Sequence, residues 1–510
     1  MSTERQAHPP PMQRIATGVP GLDQLLGGGL VAGALYLIEG VPGTGKTILA
    51  NQISFHCARD GERTLYLTLL AESHGKMLTH IRPLAFFDEA LVFRAVFYLS
   101  GYRALAEGGT SGLLALLAQA IREHRPSLLI IDGVRSVRAF TDSENAFAVF
   151  FHELNAFVTT AQCTTLLLAP HEREKMQPEH VLVDGMIELD RVDVGLRTVR
   201  TIEIHKQRGA PHLYGRHMLR IDDAGLTMFP RLESTVAEAA PGPGVADPRR
   251  LTFDVPRFDE MVGGGLIAGS TTSLVGPPGA GKTLLGLKFI EAGLRRGERC
   301  LYFGFYETPE RLLAKAAHVG IDLDEFVEGG SLRVIWHPPI EQILDELAAQ
   351  LLADARARDV RRIFIDGIEG FRDAAAYPHR VPGFLIALMA MLRGFGATTM
   401  VTEEASSPAV DARPPIEDLS AVVENLILMR YFEVGARVHR LISVAKLRDS
   451  AHEMTLREFH ITERGFDVAA SYESAEELLG ARMGEPSSPR VGRARPTRRA
   501  PGGRRSGRRR

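Results

Sequence analysis

Two short segments carry the residue types that phosphate chemistry needs, at the spacing it needs them. Gly40-Val41-Pro42-Gly43-Thr44-Gly45-Lys46-Thr47 and Gly276-Pro277-Pro278-Gly279-Ala280-Gly281-Lys282-Thr283 both read G-x-x-x-x-G-K-[ST]. Glycines there let the main chain wrap closely around an anion and take positive φ. The exposed N–H groups of the turn and the start of the next helix then bind the phosphate. Lys46 and Lys282 are placed to reach the β- and γ-phosphates, and Thr47 and Thr283 to ligate Mg²⁺. A Gly-rich turn without chemical purpose accounts for one such match far more easily than for two in the same strand–turn–helix context. ATP and Mg²⁺ are the expected cofactors.

Two further carboxylate positions accompany each loop. Asp132 closes the apolar run LLIID and Asp366 closes IFID; downstream of a phosphate loop, each is expected to hold the Mg²⁺ shell. An aspartate ending a strand can equally cap a helix or shape a turn. Glu307 in FYETPE and Glu72 in LLAESH follow the next strand, where a carboxylate can orient or deprotonate an attacking water. The competing reading is a charge at a helix start. Glu72 stands one residue out of register, since the ungapped repeat sets Ala71 opposite Glu307, and a one-residue bulge would be needed to realign it.

These residues need strands that end at one edge and helices that begin there. ALYLIEG reads as a short apolar strand, KTILANQISFHCA as a helix, and RTLYLTLL and SLLIIDG as β-rich runs ending in polar residues. Strands alternating with helices predict an α/β fold, a mostly parallel sheet with helices on both faces. Ligands in such sheets bind at the carboxyl ends of the strands. The pattern occurs twice. Residues 18–47 align without a gap to residues 254–283, GERTLYLTLL aligns to GERCLYFGFY, and HKQRG matches AKLRD slightly further on. The expected organisation is an extension (1–13), a first domain (14–230), an Ala/Pro/Gly-rich linker (231–249), a second domain (250–470) and a tail (471–510), Arg-rich from 490.

The formal charge of −2 conceals an asymmetry: residues 486–510 hold ten arginines and no acid, so the remainder carries −12. An acidic body argues against a broad nucleic-acid-binding face, while the tail suits weak, salt-sensitive polyanion binding or plain solvation. Cys57, Cys163 and Cys300 are too scattered for a disulfide framework or metal site. Buried thiols in a reducing cytoplasm are expected. The polar N-terminus does not read as a secretory signal, and no apolar run reads as a membrane span.

Taken together, the paired phosphate loops, the GGGL-x-G lead-in and the stretch KLRDSAHEMTLREFHITERGFDV (446–468) resemble the KaiC family of clock-associated ATPases, in the RecA-like P-loop group. The similarity spans roughly residues 14–470. It implies two tandem RecA-like domains and a two-tiered hexamer with ATP between neighbouring subunits. It also implies a Lys and an Arg from a K-x-R strand reaching the neighbour's γ-phosphate, here Lys206 with Arg208 and Lys446 with Arg448. Without the resemblance these would read as solvated edge-strand charges. The chain departs from the family where a pair of glutamates is usual: Tyr306 precedes Glu307, and Leu70 or Ala71 precedes Glu72. The family's phosphorylated Ser-Thr pair falls on Ser420 and Ala421, and Ala421 has no hydroxyl.

The expected activity is therefore Mg-ATP hydrolysis driving a signalling or regulatory ring, with Ser420 the one candidate for residual Ser/Thr autophosphorylation. A nucleic-acid-dependent RecA-like motor and a nucleotide-gated scaffold with negligible turnover are the alternatives on the same fold.

Overall fold

A computed structural model describes residues 12–69, 74–171, 178–236, 249–405, 423–434, 436–448, 450, 452–463 and 465–483. Glu72, Ser420, Ala421 and the Arg-rich tail lie outside the described residues.

The chain folds as two tandem RecA-like α/β domains, each built on a nine-stranded sheet. Across the first sheet the strands run Val96–Ser100, Thr64–Thr68, Leu128–Asp132, Thr164–Ala169, Leu35–Gly40, Gly185–Val194, Arg197–Gln207, Arg216–Asp222 and Gly225–Phe229. Pairing is parallel from Val96–Ser100 through Gly185–Val194 and antiparallel beyond it. The second sheet repeats this order with Leu332–Trp336, Cys300–Gly304, Arg362–Asp366, Thr398–Glu404, Thr271–Gly276, Asn425–Val434, Arg437–Leu447, Arg457–Thr462 and Gly465–Val468.

Strand alternation accounts for a two-faced core. Leu35, Leu37, Leu65, Leu67, Leu129 and Ile131 point to one face, against Leu113 and Leu117 of the helix Tyr102–His124 and Phe147 and Phe151 of the helix Glu144–Thr160. Tyr36, Ile38, Tyr66 and Ile130 point to the other, against Leu49 and Ile53 of the helix Lys46–Arg59. Strands buried on both faces read as continuous apolar runs, which is how they appear in the sequence. Ser143 caps the helix Glu144–Thr160 by accepting from Ala146 N at 3.1 Å.

One sequence expectation needs amendment. The helix Tyr102–His124 is long and apolar enough to cross a bilayer by length and composition. Its Leu105, Leu113, Leu117 and Ile121 are buried on the sheet, and Gly109 breaks its regular geometry. The leucines thus have a partner within the fold.

The two domains meet through a short helix, Leu232–Thr235. Leu232 enters the core of the second domain. Glu233 accepts from Arg380 Nε and Nη2 at 3.0 and 2.7 Å, and Arg380 also donates to Asp345 at 3.0 and 2.9 Å. Asp345 in turn accepts from Leu232 N at 3.1 Å, so the buried charges are paired and hydrogen-bonded, as burial requires.

Candidate functional site

Each phosphate loop joins the carboxyl end of a central parallel strand to a helix. Gly45 and Gly281 are the N-caps of the helices Lys46–Arg59 and Lys282–Leu294, with φ of 103° and 105°. No side chain caps either helix start, which leaves first-turn N–H groups facing outward for an anion. A side chain at Gly45 or Gly281 would be strained in that backbone region and would place a Cβ 2.7 Å from Ile221 or Ile461. Gly43 and Gly279 also have positive φ, 82° and 74°. Thr44 and Ala280 are buried beneath the loops, and Thr44 Oγ1 donates to Val41 O at 2.9 Å.

Lys46 Nζ donates to Gly40 O and Val41 O at 2.6 and 3.1 Å. Lys282 Nζ donates to Gly276 O and Pro277 O at 2.6 and 3.0 Å. Burial lowers the pKa of both ammonium groups; Asp132 opposes this for Lys46, and Glu404, Asp366 and Glu369 oppose it for Lys282. A phosphate would supply the opposite charge that backbone carbonyls only approximate.

In the first domain Thr47 Oγ1 lies 3.5 Å from Asp132 Oδ2, which also accepts from the buried Tyr66 hydroxyl at 2.5 Å. In the second, Asp366 accepts from Tyr302 at 3.0 Å and from Thr402 at 2.8 Å. Burial raises the pKa of Asp366, and its hydrogen bonds from Thr402, Thr283 and Tyr302 hold it down. A buried carboxylate with neutral donors beside a threonine hydroxyl is a hard-oxygen pair that suits Mg²⁺. Its ionisation would gain from a divalent charge.

Cavities open over both loops. The first, 770 Å³, is lined by Lys46, Thr47, Asp132, His74, Arg135 and Arg200 among others. The second, 450 Å³, is lined by Lys282, Thr283, Asp366, Glu307, Glu404 and Arg440 among others. Glu307 thus faces the second cavity and pairs with Lys315 at 2.7 Å.

The K-x-R residues are not brought into their own chain's cavities. Lys206 Nζ donates to His180 O and Val181 O at 3.2 and 3.0 Å, Arg208 donates to Val181 O at 3.3 Å, and Lys446 donates to Val423 O at 2.7 Å. Their strands are inner strands of the sheets, not edges.

Sequence reasoning missed several residues here. Tyr66 and Tyr302, which bind the two aspartates, occupy the same place in the repeated GER-x-x-Y segments, so the repeat itself held the signal. Arg200 and Arg440 lie six residues before Lys206 and Lys446 in both copies. A charged network beneath the first loop has no counterpart motif. Buried Glu39 accepts from Arg135 Nη2 at 2.5 Å, and His180 and His171 lie 3.1 and 3.3 Å from it. Glu179, also buried, accepts from Arg135 Nε at 3.1 Å. The three cysteines are buried, and burial pushes each thiol up to about 12.

The family model described as ATPase: KaiC matches residues 15–233 and again 252–473. Among curated relatives, the circadian clock oscillator protein KaiC of Picosynechococcus sp. is 26% identical over 92% of this chain and 92% of its own length. The proteins of the same name from Parathermosynechococcus lividus and Synechococcus elongatus are each 25% identical. They cover 91% and 94% of this chain and 86% and 92% of their own lengths.

Proposed function

The chain belongs to the KaiC ATPase family, and from that premise we propose that it hydrolyses Mg-ATP at both phosphate loops, as a nucleotide-driven regulatory ATPase working in a ring. The observation that carries this reading is the convergence, in each domain, of a loop lysine, a loop threonine and a strand-end aspartate on one cavity. Mg²⁺, held by Thr47 with Asp132 and by Thr283 with Asp366, would neutralise charge on the phosphates. Lys46 and Lys282 turn from the loop carbonyls to the β- and γ-oxygens. Glu307 orients water in the second domain; Glu72 is the proposed counterpart in the first.

Lys206, Arg208, Lys446 and Arg448 lie off their own cavities, which supports a role at a neighbouring subunit's nucleotide. There they would stabilise charge on the transferred phosphoryl group. A hexamer is the assembly proposed, with the Arg-rich tail a weak polyanion-binding extension.

Phosphate release by the purified protein in Mg-ATP tests the reading. The Lys46→Ala/Lys282→Ala double variant should release none above background. DNA or RNA should not stimulate the wild type; severalfold stimulation would favour a nucleic-acid motor instead.

A further inference from the structure

The charged network beneath the first phosphate loop reaches the K-x-R residues of the same chain. Glu39 stands directly before Gly40 at the end of the phosphate-loop strand, and its side chain is fully buried. Glu179, on the short helix Pro178–Leu182, is buried as completely. Two carboxylates held out of water need a cation and hydrogen bonds. Arg135 supplies both: Nη2 donates to Glu39 at 2.5 Å, Nε to Glu179 at 3.1 Å, and Nη1 to Pro170 O. The planar guanidinium fork fixes the two acids relative to each other. Arg135 follows Asp132 by three residues and lines the first cavity beside it.

The same segment carries the fingers. His180 Nε2 lies 3.1 Å from Glu39 Oε1, while His180 O accepts from Lys206 Nζ at 3.2 Å. Val181 O accepts from Lys206 at 3.0 Å and from Arg208 at 3.3 Å. Asp184 lies 3.6 Å from Arg208 and accepts from Leu35 N, at the start of the phosphate-loop strand, at 3.1 Å. Residues 179–184 are thus tied to both ends of that strand and hold both fingers between the ties. The second domain repeats the tie at the strand start: Glu424 accepts from Thr271 N at 2.8 Å, and Lys446 donates to Val423 O at 2.7 Å. At the strand end the residue types change, with Val275 in the place of Glu39 and Glu369 in the place of Arg135. The arginine bridge is therefore particular to the first domain.

We propose that Arg135 is a positioning residue for the fingers of its own subunit. By pinning Glu179 and Glu39 it fixes residues 179–184, and so sets Lys206 and Arg208 where the neighbouring subunit's nucleotide needs them. Two buried acids already neutralise its guanidinium, so its loss acts on the fingers far more than on ATP affinity at its own loop.

This inference rests on the proposed action of the fingers between subunits, and the test separates the two. First-domain turnover is read by itself in full-length Lys282→Ala protein, to which Arg135→Gln, Lys206→Ala and both together are added. A displacement of about 1 Å at a reacting centre can cost about a hundredfold in rate. Arg135→Gln should thus lower kcat about tenfold or more and leave KM within about threefold. Because Arg135 acts through Lys206, the double variant should match Lys206→Ala alone within about twofold. A merely structural arginine would slow the Lys206→Ala protein further by its own full factor, and that additive result overturns the proposal. So does an Arg135→Gln protein whose kcat is unchanged or whose loss lies in KM. If Arg135→Gln does not fold, the same cycle is run with His180→Phe, which keeps the arginine bridge and removes only the imidazole's contact with Glu39; additivity there overturns the proposal equally. An unchanged kcat in Lys206→Ala would instead remove the finger reading, and the inference with it.

Discussion

At the scale of single residues, the account turns on oxygen donors and one ammonium per site. Asp366 is buried among neutral donors, and burial raises its pKa. If its task is to fix Mg²⁺ through the metal's shell, Asp366→Asn removes the charge and keeps the shape. Loss of such an outer partner costs about ten- to a hundredfold in metal affinity. The Mg²⁺ concentration giving half-maximal hydrolysis should rise by that factor in a titration at saturating ATP; an unchanged midpoint would reassign Asp366 to a structural part. Ser420 supports a second test. With alanine following it, incubation in Mg-ATP should leave the intact mass unchanged, and a stoichiometric gain of one phosphate lost in Ser420→Ala would establish the kinase. The phosphate loops were legible in the sequence because glycine writes a backbone requirement directly into residue type. Tyr66 and Tyr302 were not singled out, because a tyrosine within an apolar strand looks like any β-former until its hydroxyl is seen to reach a carboxylate two strands' chemistry depends on. Glu404 was hidden differently: it reaches the second cavity through strand order, which a single sequence does not state.

At the scale of elements, apolar runs and turn glycines were enough to foresee strands feeding helices, because burial on both faces leaves a continuous apolar signature. The long antiparallel ribbon of Gly185–Val194 and Arg197–Gln207 was less legible. Its strands alternate charged and apolar residues and carry their own ion pairs. Within it, Glu188 Oε2 and His205 Nε2 lie 2.6 Å apart. The hydrogen bond with His205 holds the Glu188 carboxyl below its ordinary 4.5, and the same bond holds the His205 imidazole above its ordinary 6.5. His171 and Arg216 also face Glu188, and Glu203 faces His205. The sign follows from linkage. The glutamate's contribution is present above pH 4.5 and is lost as pH falls through its lowered value. The histidine's contribution is present below pH 6.5 and is lost as pH rises through its raised value. The pair therefore stabilises the ribbon most between those two limits. The difference in Tm between wild type and His205→Gln should be largest at about pH 5–6 and shrink toward pH 8–9; a difference that is flat or grows with pH contradicts the assignment. The imidazole is partly exposed, so solvent screening keeps the effect small.

At the scale of the whole molecule, duplication gave one framework two sets of side chains. The repeat was visible from the first loop onward. What it concealed is the inequality between copies, Arg135 against Glu369 and Pro170 against Glu404, because an alignment that scores similarity passes over such exchanges. The position of Lys206, Arg208 and Lys446 off their own cavities leads to an assembly prediction. Light scattering after size exclusion should give a hexamer in Mg-ATP and smaller species without nucleotide. A monomer that hydrolyses ATP normally would end the proposal of fingers acting between subunits. The central claim, two ATP sites per chain, is tested most directly by counting nucleotide released from denatured protein after equilibration with Mg-ATP. Each loop lysine contributes a charge-assisted hydrogen bond of about 1.5–3 kcal/mol, or about ten- to a hundredfold in affinity. At saturating ATP wild type should therefore reach two nucleotides per chain; at ATP near the wild-type Kd it should hold about one, Lys46→Ala and Lys282→Ala about half of one each, and the double variant almost none. Wild-type stoichiometry and affinity in either single variant would contradict the account.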